Sequence, residues 1–344
     1  MSFELKIPAI YDEVYNFSEG LAAVKLNGKW GFTAGNGNEV VPLIYDRVYN
    51  FAEGLAVVKL NGKYGFTDRS GREVIPLIRD SAWNFSEGLA VVNINSKYGF
   101  IDKTGKEIIP FIYDDVCSFS EGVASVKRDN KWGYTDRNGN NVIPAIYDEA
   151  CDFSEDLAAV GLNDKYGFID KAGKEIIPFI YDTAGYFSEG LAVVILNNKY
   201  GFIDKTGNEV IPLIYDNTWG FCDGLAGVKL NGTWGFIDKT GKGIIPFTYD
   251  WVGRKYFSEG LAVVNLNKKC GFIDKTGKEI LPFIYDFALD FSEGLAGANI
   301  NGKWGFTAGN GNEIVPLIYD RVYDFTEGSA PIKLNGKWGF IGRT

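Results

Sequence analysis

Carboxylates are the side chains of this sequence best suited to binding a metal ion or to acid–base catalysis, and they recur at a fixed spacing. The aspartates return about every 34 residues, at Asp12, Asp46, Asp80, Asp114, Asp148, Asp182, Asp216, Asp250, Asp286 and Asp320. The glutamates return at Glu19, Glu53, Glu87, Glu121, Glu155, Glu189, Glu259, Glu293 and Glu327, with Asp223 completing the series. Calcium loops carry densely alternating carboxylates, and a catalytic pair would be unique to one place. We therefore predict turn and backbone-capping roles, with no metal site, no cofactor and no enzymatic activity.

An aromatic residue followed by glycine recurs at the same spacing. The pairs are Trp30-Gly31, Tyr64-Gly65, Tyr98-Gly99, Trp132-Gly133, Tyr166-Gly167, Tyr200-Gly201, Trp234-Gly235, Trp304-Gly305 and Trp338-Gly339, and Cys270-Gly271 interrupts the series. Exposed rings in such a series could stack on sugar faces, whereas buried rings would form a structural spine. We predict the spine, because each unit of a repeat array needs its neighbours to bury a core.

Composition argues against several other chemistries. Histidine, the commonest general base and metal ligand, is absent. The net charge of −9 and the pI near 4.8 argue against a nucleic-acid partner. The four cysteines lack metal-ligand spacing and are expected to be reduced thiols. The first residues do not resemble a secretory signal, and no apolar run reaches the ~20 residues that cross a bilayer. We therefore expect a cytoplasmic protein with no membrane partner.

The spacing reflects ten copies of one unit, marked by Phe-Ser-Glu-Gly or a near copy of it. The marker phenylalanines are Phe17, Phe51, Phe85, Phe119, Phe153, Phe187, Phe221, Phe257, Phe291 and Phe325. A fixed period of this length is typical of modular arrays. We predict a single repeat domain that spans residues 1–344.

One repeat is enough to predict the elements that position these residues. Leu89 to Ile94 is short and rich in β-branched residues, which predicts a strand, and Lys97 to Ile101 follows as a second strand. In several repeats Asn-Gly joins the two, which is a strong hairpin signal. Glu107 to Tyr113 predicts a third strand, and Asp114 to Phe119 a short fourth. That third strand contains proline in every repeat, so it should lie at a sheet edge or contain a bulge. The chain is therefore predicted to be all-β, built from small antiparallel sheets.

These motifs resemble the bacterial WG repeat, also called the KWG repeat. The resemblance covers the whole chain through Gly-Leu-Ala-x-Val, Asn-Gly-Lys-Trp-Gly-Phe-Ile-Asp-Lys-Thr-Gly and Ile-Ile-Pro-x-Ile-Tyr-Asp. Departures are few: Tyr replaces Trp in four repeats, Cys270 replaces it in one, and Arg79 replaces the usual Tyr. The resemblance implies a repeat fold but no particular activity.

The ten repeats could be arranged in two ways. The chain begins with a proline-type strand, Phe3 to Tyr11, and ends with Lys337 to Ile341, so the first strand could close the last sheet in a propeller-like ring. Ten units exceed the usual four to eight blades, and Ser329 and Pro331 make the last repeat atypical, as in an end cap. We predict an open β-superhelix, or solenoid, with the closed β-propeller-like ring as the alternative. Pairing of Phe3–Tyr11 with another chain would instead give head-to-tail association.

The residues between each Tyr-Asp pair and the next marker Phe vary, and we call them the variable segment. It comprises residues 13–16 in one repeat and an extended 251–256 in another. Variable loops on a rigid frame commonly bind ligands. Candidate exposed binding aromatics are Tyr15, Tyr49, Trp83, Trp219, Trp251 and Tyr323. We predict a non-catalytic cytoplasmic scaffold with an unidentified protein partner. The alternative is a carbohydrate-binding protein that uses these rings for a glycan.

Overall fold

The structure is a computed structural model that describes residues 3–343, apart from the side chains of 254–256. Forty strands form ten antiparallel sheets of four strands each, which confirms the all-β prediction. We call these sheets blades 1 to 10, with residues 13–45 forming blade 1 and residues 321–343 contributing to blade 10. Each blade contains, in order, a variable strand, a Leu-Ala strand, a Trp-Gly strand and a proline strand, named after their sequence motifs.

The strands at each of the four positions share one sequence pattern. The variable strands are β2 (Glu13–Ser18), β6 (Arg47–Val48), β10 (Ser81–Ser86), β14 (Asp115–Val116), β18 (Glu149–Ala150), β22 (Thr183–Ser188), β26 (Asn217–Cys222), β30 (Trp251–Ser258), β34 (Phe287–Ser292) and β38 (Arg321–Val322). The Leu-Ala strands are β3 (Leu21–Leu26), β7 (Leu55–Leu60), β11 (Leu89–Ile94), β15 (Val123–Arg128), β19 (Leu157–Leu162), β23 (Leu191–Leu196), β27 (Leu225–Leu230), β31 (Leu261–Leu266), β35 (Leu295–Ile300) and β39 (Ser329–Leu334).

The other two positions form the second half of each blade. The Trp-Gly strands are β4 (Lys29–Ala34), β8 (Lys63–Asp68), β12 (Lys97–Ile101), β16 (Lys131–Asp136), β20 (Lys165–Asp170), β24 (Lys199–Asp204), β28 (Thr233–Asp238), β32 (Lys269–Asp274), β36 (Lys303–Ala308) and β40 (Lys337–Arg343). The proline strands are β5 (Glu39–Tyr45), β9 (Glu73–Arg79), β13 (Glu107–Tyr113), β17 (Asn141–Tyr147), β21 (Glu175–Tyr181), β25 (Glu209–Tyr215), β29 (Gly243–Tyr249), β33 (Glu279–Tyr285), β37 (Glu313–Tyr319) and β1 (Phe3–Tyr11).

The turns of blade 1 have the backbone that their sequences predict. Asn27 and Gly28 have φ of 51° and 82°, which matches a type I′ hairpin between the Leu-Ala and Trp-Gly strands. The Ser-Glu-Gly turn is also left-handed, with φ of 53° at Glu19 and 81° at Gly20. A left-handed glutamate is unusual and costs about 1 kcal/mol, so contacts of its side chain must compensate.

The proline strand is an edge strand with a bulge, as predicted. In blade 1, Trp30 pairs with Tyr45 and Phe32 pairs with Val41. An advance of two residues along the Trp-Gly strand therefore corresponds to four residues along the proline strand. The bulge brings the proline strand against the glycine of the aromatic-Gly pair. A Cβ on Gly31 would lie 2.4 Å from the carbonyl oxygen of Val41. This close approach requires glycine at that position.

The prediction of an open superhelix is wrong, because the two ends of the chain share one sheet. Blade 10 has the strand order β1-β40-β39-β38, and Glu4 pairs with Gly342 in its register. Strand β1 therefore occupies the edge position that the proline strand takes in the other blades. Pro331, taken as part of an end cap, lies within β39 and pairs with Phe340. The ten sheets form a ring, a ten-bladed β-propeller. The strand needed for head-to-tail pairing is therefore already paired within its own chain.

The chain divides into two compact units, Met1–Asn84 with Asp250–Thr344, and Phe85–Tyr249. Both units have the same kind of core, in which a Phe that follows a Trp-Gly or Tyr-Gly pair packs on the marker Phe of the following blade. Phe32 and Phe51 have ring centroids 4.8 Å apart in the first unit, and Phe202 and Phe221 are equally close in the second. Within the first unit, Phe340 of blade 10 packs on Phe17 of blade 1 at 5.1 Å.

Candidate binding surface on the variable segments

The Phe-Ser-Glu-Gly motif joins consecutive blades. In the first unit, the Ser18 hydroxyl donates to the Phe51 carbonyl oxygen at 3.0 Å, and the Glu19 carboxylate accepts the Gly54 N–H at 3.0 Å. The same contacts occur in the second unit, where Ser154 donates to Phe187 and Glu155 accepts from Gly190. Glu327 of blade 10 accepts the Gly20 N–H of blade 1 at 2.8 Å. These bonds compensate the left-handed glutamates and give the motif a role in the frame.

The recurring aspartates and lysines also belong to the frame. Lys29 pairs with Asp46 at 2.7 Å, and the other carboxylate oxygen of Asp46 accepts the Asn61 N–H of the next hairpin at 2.7 Å. The equivalent ion pairs are Lys63–Asp80, Lys97–Asp114, Lys131–Asp148, Lys165–Asp182, Lys199–Asp216, Lys269–Asp286, Lys303–Asp320 and Lys337–Asp12. The Lys29 ammonium and the backbone N–H of Asn61 lower the pKa of Asp46. The backbone-capping interpretation of this column is confirmed.

The predicted binding aromatics all have solvent-accessible rings. Trp83, Trp219 and Trp251 are exposed, at 40%, 39% and 42% of their surface. Tyr15, Tyr49 and Tyr323 are half-buried. Burial raises the pKa of the Tyr49 hydroxyl. Whether these rings bind a ligand stays a prediction.

The predicted spine residues lie in the Trp-Gly strands and are covered unequally. Trp30, Trp234 and Trp338 are buried, whereas Tyr64, Tyr98, Trp132, Tyr166, Tyr200 and Trp304 are half-buried. The buried rings stack on a ring of their own blade's variable segment. The ring centroids of Tyr15 and Trp30 are 4.9 Å apart, and those of Tyr323 and Trp338 are 4.8 Å apart. Phenylalanine pairs such as Phe32–Phe51 are among the ring contacts between consecutive blades, and a spine role for the Trp-Gly rings stays a prediction. The Gly-Phe that recurs at the same spacing as the marker Phe was the available signal for those pairs.

Two exposed aromatics were missed in the sequence. Tyr186 and Phe287 are exposed over 68% and 65% of their surface, more than any of the predicted rings. Both lie in variable segments, but Tyr186 is one position after the column of Tyr15 and Phe287 is two positions before it. A signal for these two rings was present in the sequence, because residues throughout the variable segment differ between repeats, and not only those at the position of Tyr15.

In the first unit the variable segments enclose a polar and aromatic cavity. Its volume is about 370 Å³, and its lining includes Tyr15, Tyr323, Asn16, Asn50 and Asp324. The Asn16 side-chain amide donates to the Thr326 hydroxyl at 3.1 Å, and the Asn50 side-chain oxygen is buried without a hydrogen-bond donor. A buried amide oxygen in that state favours a ligand or water that donates to it.

Within residues 3–343, no group of three or more Cys, Asp or Glu side chains is arranged to hold a metal ion. The described chain contains no helix with the length and apolarity needed to span a membrane.

These features define a β-propeller of ten blades built from one repeated sequence, with variable segments that differ from blade to blade. The profile of the WG containing repeat matches residues 2–30, 35–64, 64–98, 98–132, 132–166, 166–200, 200–234, 234–270, 271–304 and 309–338. The chain therefore belongs to the WG-repeat family, which confirms the resemblance.

Solved structures provide a fold-level comparison. The crystal structure of the eukaryotic initiation factor is similar with a TM-score of 0.58 at 9% identity, over 86% of this chain and 95% of that chain. Dihydro-heme d1 dehydrogenase NirN in complex with DHE gives 0.41 at 14% identity, over 82% of this chain and 78% of that chain. The first likeness shows the fold alone. No match was found among the curated proteins.

Proposed function

We propose that this protein is a non-catalytic cytoplasmic scaffold that binds a protein partner through its variable segments. The observation that carries the proposal is the exposure of large aromatic rings on those segments, led by Tyr186, Phe287 and Trp251. Aromatic residues are enriched where proteins bind one another, because a rigid ring buries a large area at low entropic cost.

The non-catalytic part of the proposal is supported by what the repeated polar side chains already do. Glu19 and its equivalents accept backbone N–H groups of the next blade, and Asp46 and its equivalents hold a lysine and a hairpin. These side chains therefore make structural contacts in one repeat after another. The four free cysteines support a reducing compartment, and the net charge of −9 argues against nucleic acid as the partner.

Affinity capture from the native cell with two matched variants tests the proposal. The first variant replaces Trp83, Trp219 and Trp251 by serine on the variable segments. The control replaces Ile44, Ile180 and Ile318 by serine, which are equally exposed apolar residues on the proline strands. We expect one protein partner to be captured by the wild type and the control and to be lost with the first variant. Retention by the first variant would contradict the proposal.

Carbohydrate binding is a second candidate, favoured by the cavity of the first unit. Two tyrosine rings beside two asparagines and an aspartate offer both a stacking face and hydrogen-bonding groups to a sugar. A glycan array tests this function. We expect binding that Asn50→Ala and Tyr323→Ala abolish and Phe287→Ala leaves unchanged. No bound glycan, or binding indifferent to Asn50 and Tyr323, would rule it out.

A further inference from the structure

The variable segments of blades 4, 5 and 6, in the second unit, lack the aromatic ring that blades 1, 2, 3, 7 and 10 carry at one shared position. Cys117, Cys151 and Gly185 occupy the position at which blade 1 has Tyr15. Two cavities open beside these small residues. One has a volume of about 440 Å³ and the other about 260 Å³, and Tyr186 lines both. The two cavities therefore share one aromatic wall, the ring of Tyr186.

The larger cavity is suited to a cation. It is lined by Cys117, Cys151 and Asp152, and the ring of Tyr186 forms one side. Asp152 is solvent-accessible, and no cationic side chain of the second unit pairs with it. Although Asp152 is exposed overall, the surrounding protein partly desolvates its carboxyl, which raises the pKa of that carboxyl. Burial, and after it the charge of Asp152, raises the pKa of the Cys151 thiol, so this thiol remains neutral and the Asp152 carboxylate makes the cavity electronegative.

The smaller cavity is suited to an apolar side chain. Leu191, Val193 and Trp219 line it. Its threonine hydroxyls are already used, since Thr183 donates to the Asp182 carbonyl oxygen at 2.8 Å and Thr218 donates to that of Gly227 at 2.9 Å. A sugar in this cavity would lose its hydrogen bonds to water and find few replacements. The lining therefore favours an aliphatic or aromatic side chain over a glycan.

We propose that these two cavities bind an extended peptide segment of the partner, with a lysine or arginine side chain beside Asp152 and an apolar side chain beside Trp219. Between them the peptide crosses the exposed ring of Tyr186, which can stabilise the cation through its π face. A chain of net charge −9 favours a basic segment over an acidic one. This inference rests on the proposed function and identifies the chemistry of its partner.

Selection of a random-peptide phage library on the full chain tests the inference. We expect the selected peptides to combine a basic residue with a large apolar residue. The fluorescein-labelled form of the best peptide should bind at least about tenfold more weakly to Tyr186→Ala and to Asp152→Asn. Gly185→Trp should weaken binding as much, because it restores a covering ring. An added Cβ at Gly185 meets only ordinary contacts, with Val193 O at 3.7 Å, so the variant should fold.

Matched controls distinguish specific binding at this site from nonspecific binding to exposed aromatic rings. Phe287→Ala removes an equally exposed ring from another blade and should leave the affinity unchanged. Replacing the basic residue of the peptide by glutamate should abolish binding. Peptides that lack a basic residue, or that bind Tyr186→Ala normally, would overturn the inference. So would an empty selection, or a glycan whose binding needs Tyr186.

The captured cellular partner distinguishes failure of this inference from failure of the proposed function. A partner that is lost with the triple tryptophan variant but retained by Tyr186→Ala and Asp152→Asn would overturn only the peptide site. A partner retained by the triple variant would overturn the proposed function itself.

Discussion

The variable segments of blades 10 and 1 and those of blades 4 to 6 are built on the same frame but present different surfaces. In blades 10 and 1, Tyr323 and Tyr15 stack on the tryptophans of their own blades. In blades 4 to 6, small residues take that position and two cavities open. The residues of the variable segment therefore decide where a blade presents a ring and where it leaves an opening, and the frame is the same in both regions.

The frame itself should respond equally in both regions, and its core gives the largest expected effect. Phe340→Ala, Phe32→Ala and Phe202→Ala each remove a fully buried ring that packs on a marker phenylalanine. We expect each to lower the free energy of unfolding by about 3–5 kcal/mol. Equilibrium denaturation in guanidinium measures the three losses. A much smaller loss for Phe340→Ala would mean that blade 10, built from both chain ends, is packed less well than the others.

Removing a covered ring of a Trp-Gly strand should destabilise the protein more than removing an uncovered one, by an intermediate amount. Trp338 is buried under Tyr323, whereas Trp132 is half-buried in a blade that has Cys117 at the covering position. Because less surface is buried, Trp132→Ala should cost about half of the ~3 kcal/mol expected for Trp338→Ala. Denaturation of both variants under one set of conditions gives the difference. Equal losses would show that the covering ring adds no stability.

Acid titration distinguishes a carboxylate of the frame from one of the cavity. Asp204 accepts the Thr206 hydroxyl and N–H, which lowers its pKa to about 2. Its contribution to stability is therefore present above the unfolded pKa of ~3.9 and is lost as the pH falls toward 2. The pKa of Asp152 is raised by desolvation, so its ionised form opposes folding.

Substitution at the two sites should thus have opposite signs. Asp204→Ala should destabilise the protein at pH 7, and that difference should disappear near pH 2. Asp152→Asn should stabilise it at pH 7, and that gain should disappear below pH ~4. Thermal denaturation across this pH range measures both. Destabilisation by Asp152→Asn at neutral pH would contradict the assignment of Asp152 as a desolvated carboxylate.

The sequence predicted the blade well because each element depends on local chemistry. Asn-Gly specified the hairpin, proline specified the edge strand, and the recurring aspartates were correctly taken as backbone caps. Closure was predicted wrongly because the pairing between Phe3–Tyr11 and Lys337–Arg343 is long-range, and the number of units and the atypical last repeat favoured an open array. The cavities were missed for a related reason. Cys117, Cys151 and Gly185 are informative only when the fold places them where other blades have a ring.

Ion pairs on the frame should give the smallest effect. Lys29→Met, Lys165→Met and Lys337→Met each break one exposed pair with an aspartate. Such pairs contribute about 0–1 kcal/mol and weaken in salt. We expect three equally small losses of unfolding free energy that vanish in concentrated sodium chloride. Asp46→Ala should cost more than Lys29→Met, because it also removes the acceptor for the Asn61 N–H. Lys337 pairs with Asp12, at the junction of the chain ends, so a distinctly larger loss there would mean that closure depends on charge. An equal loss would support closure through the β1–β40 ladder and the contact of Phe340 with Phe17.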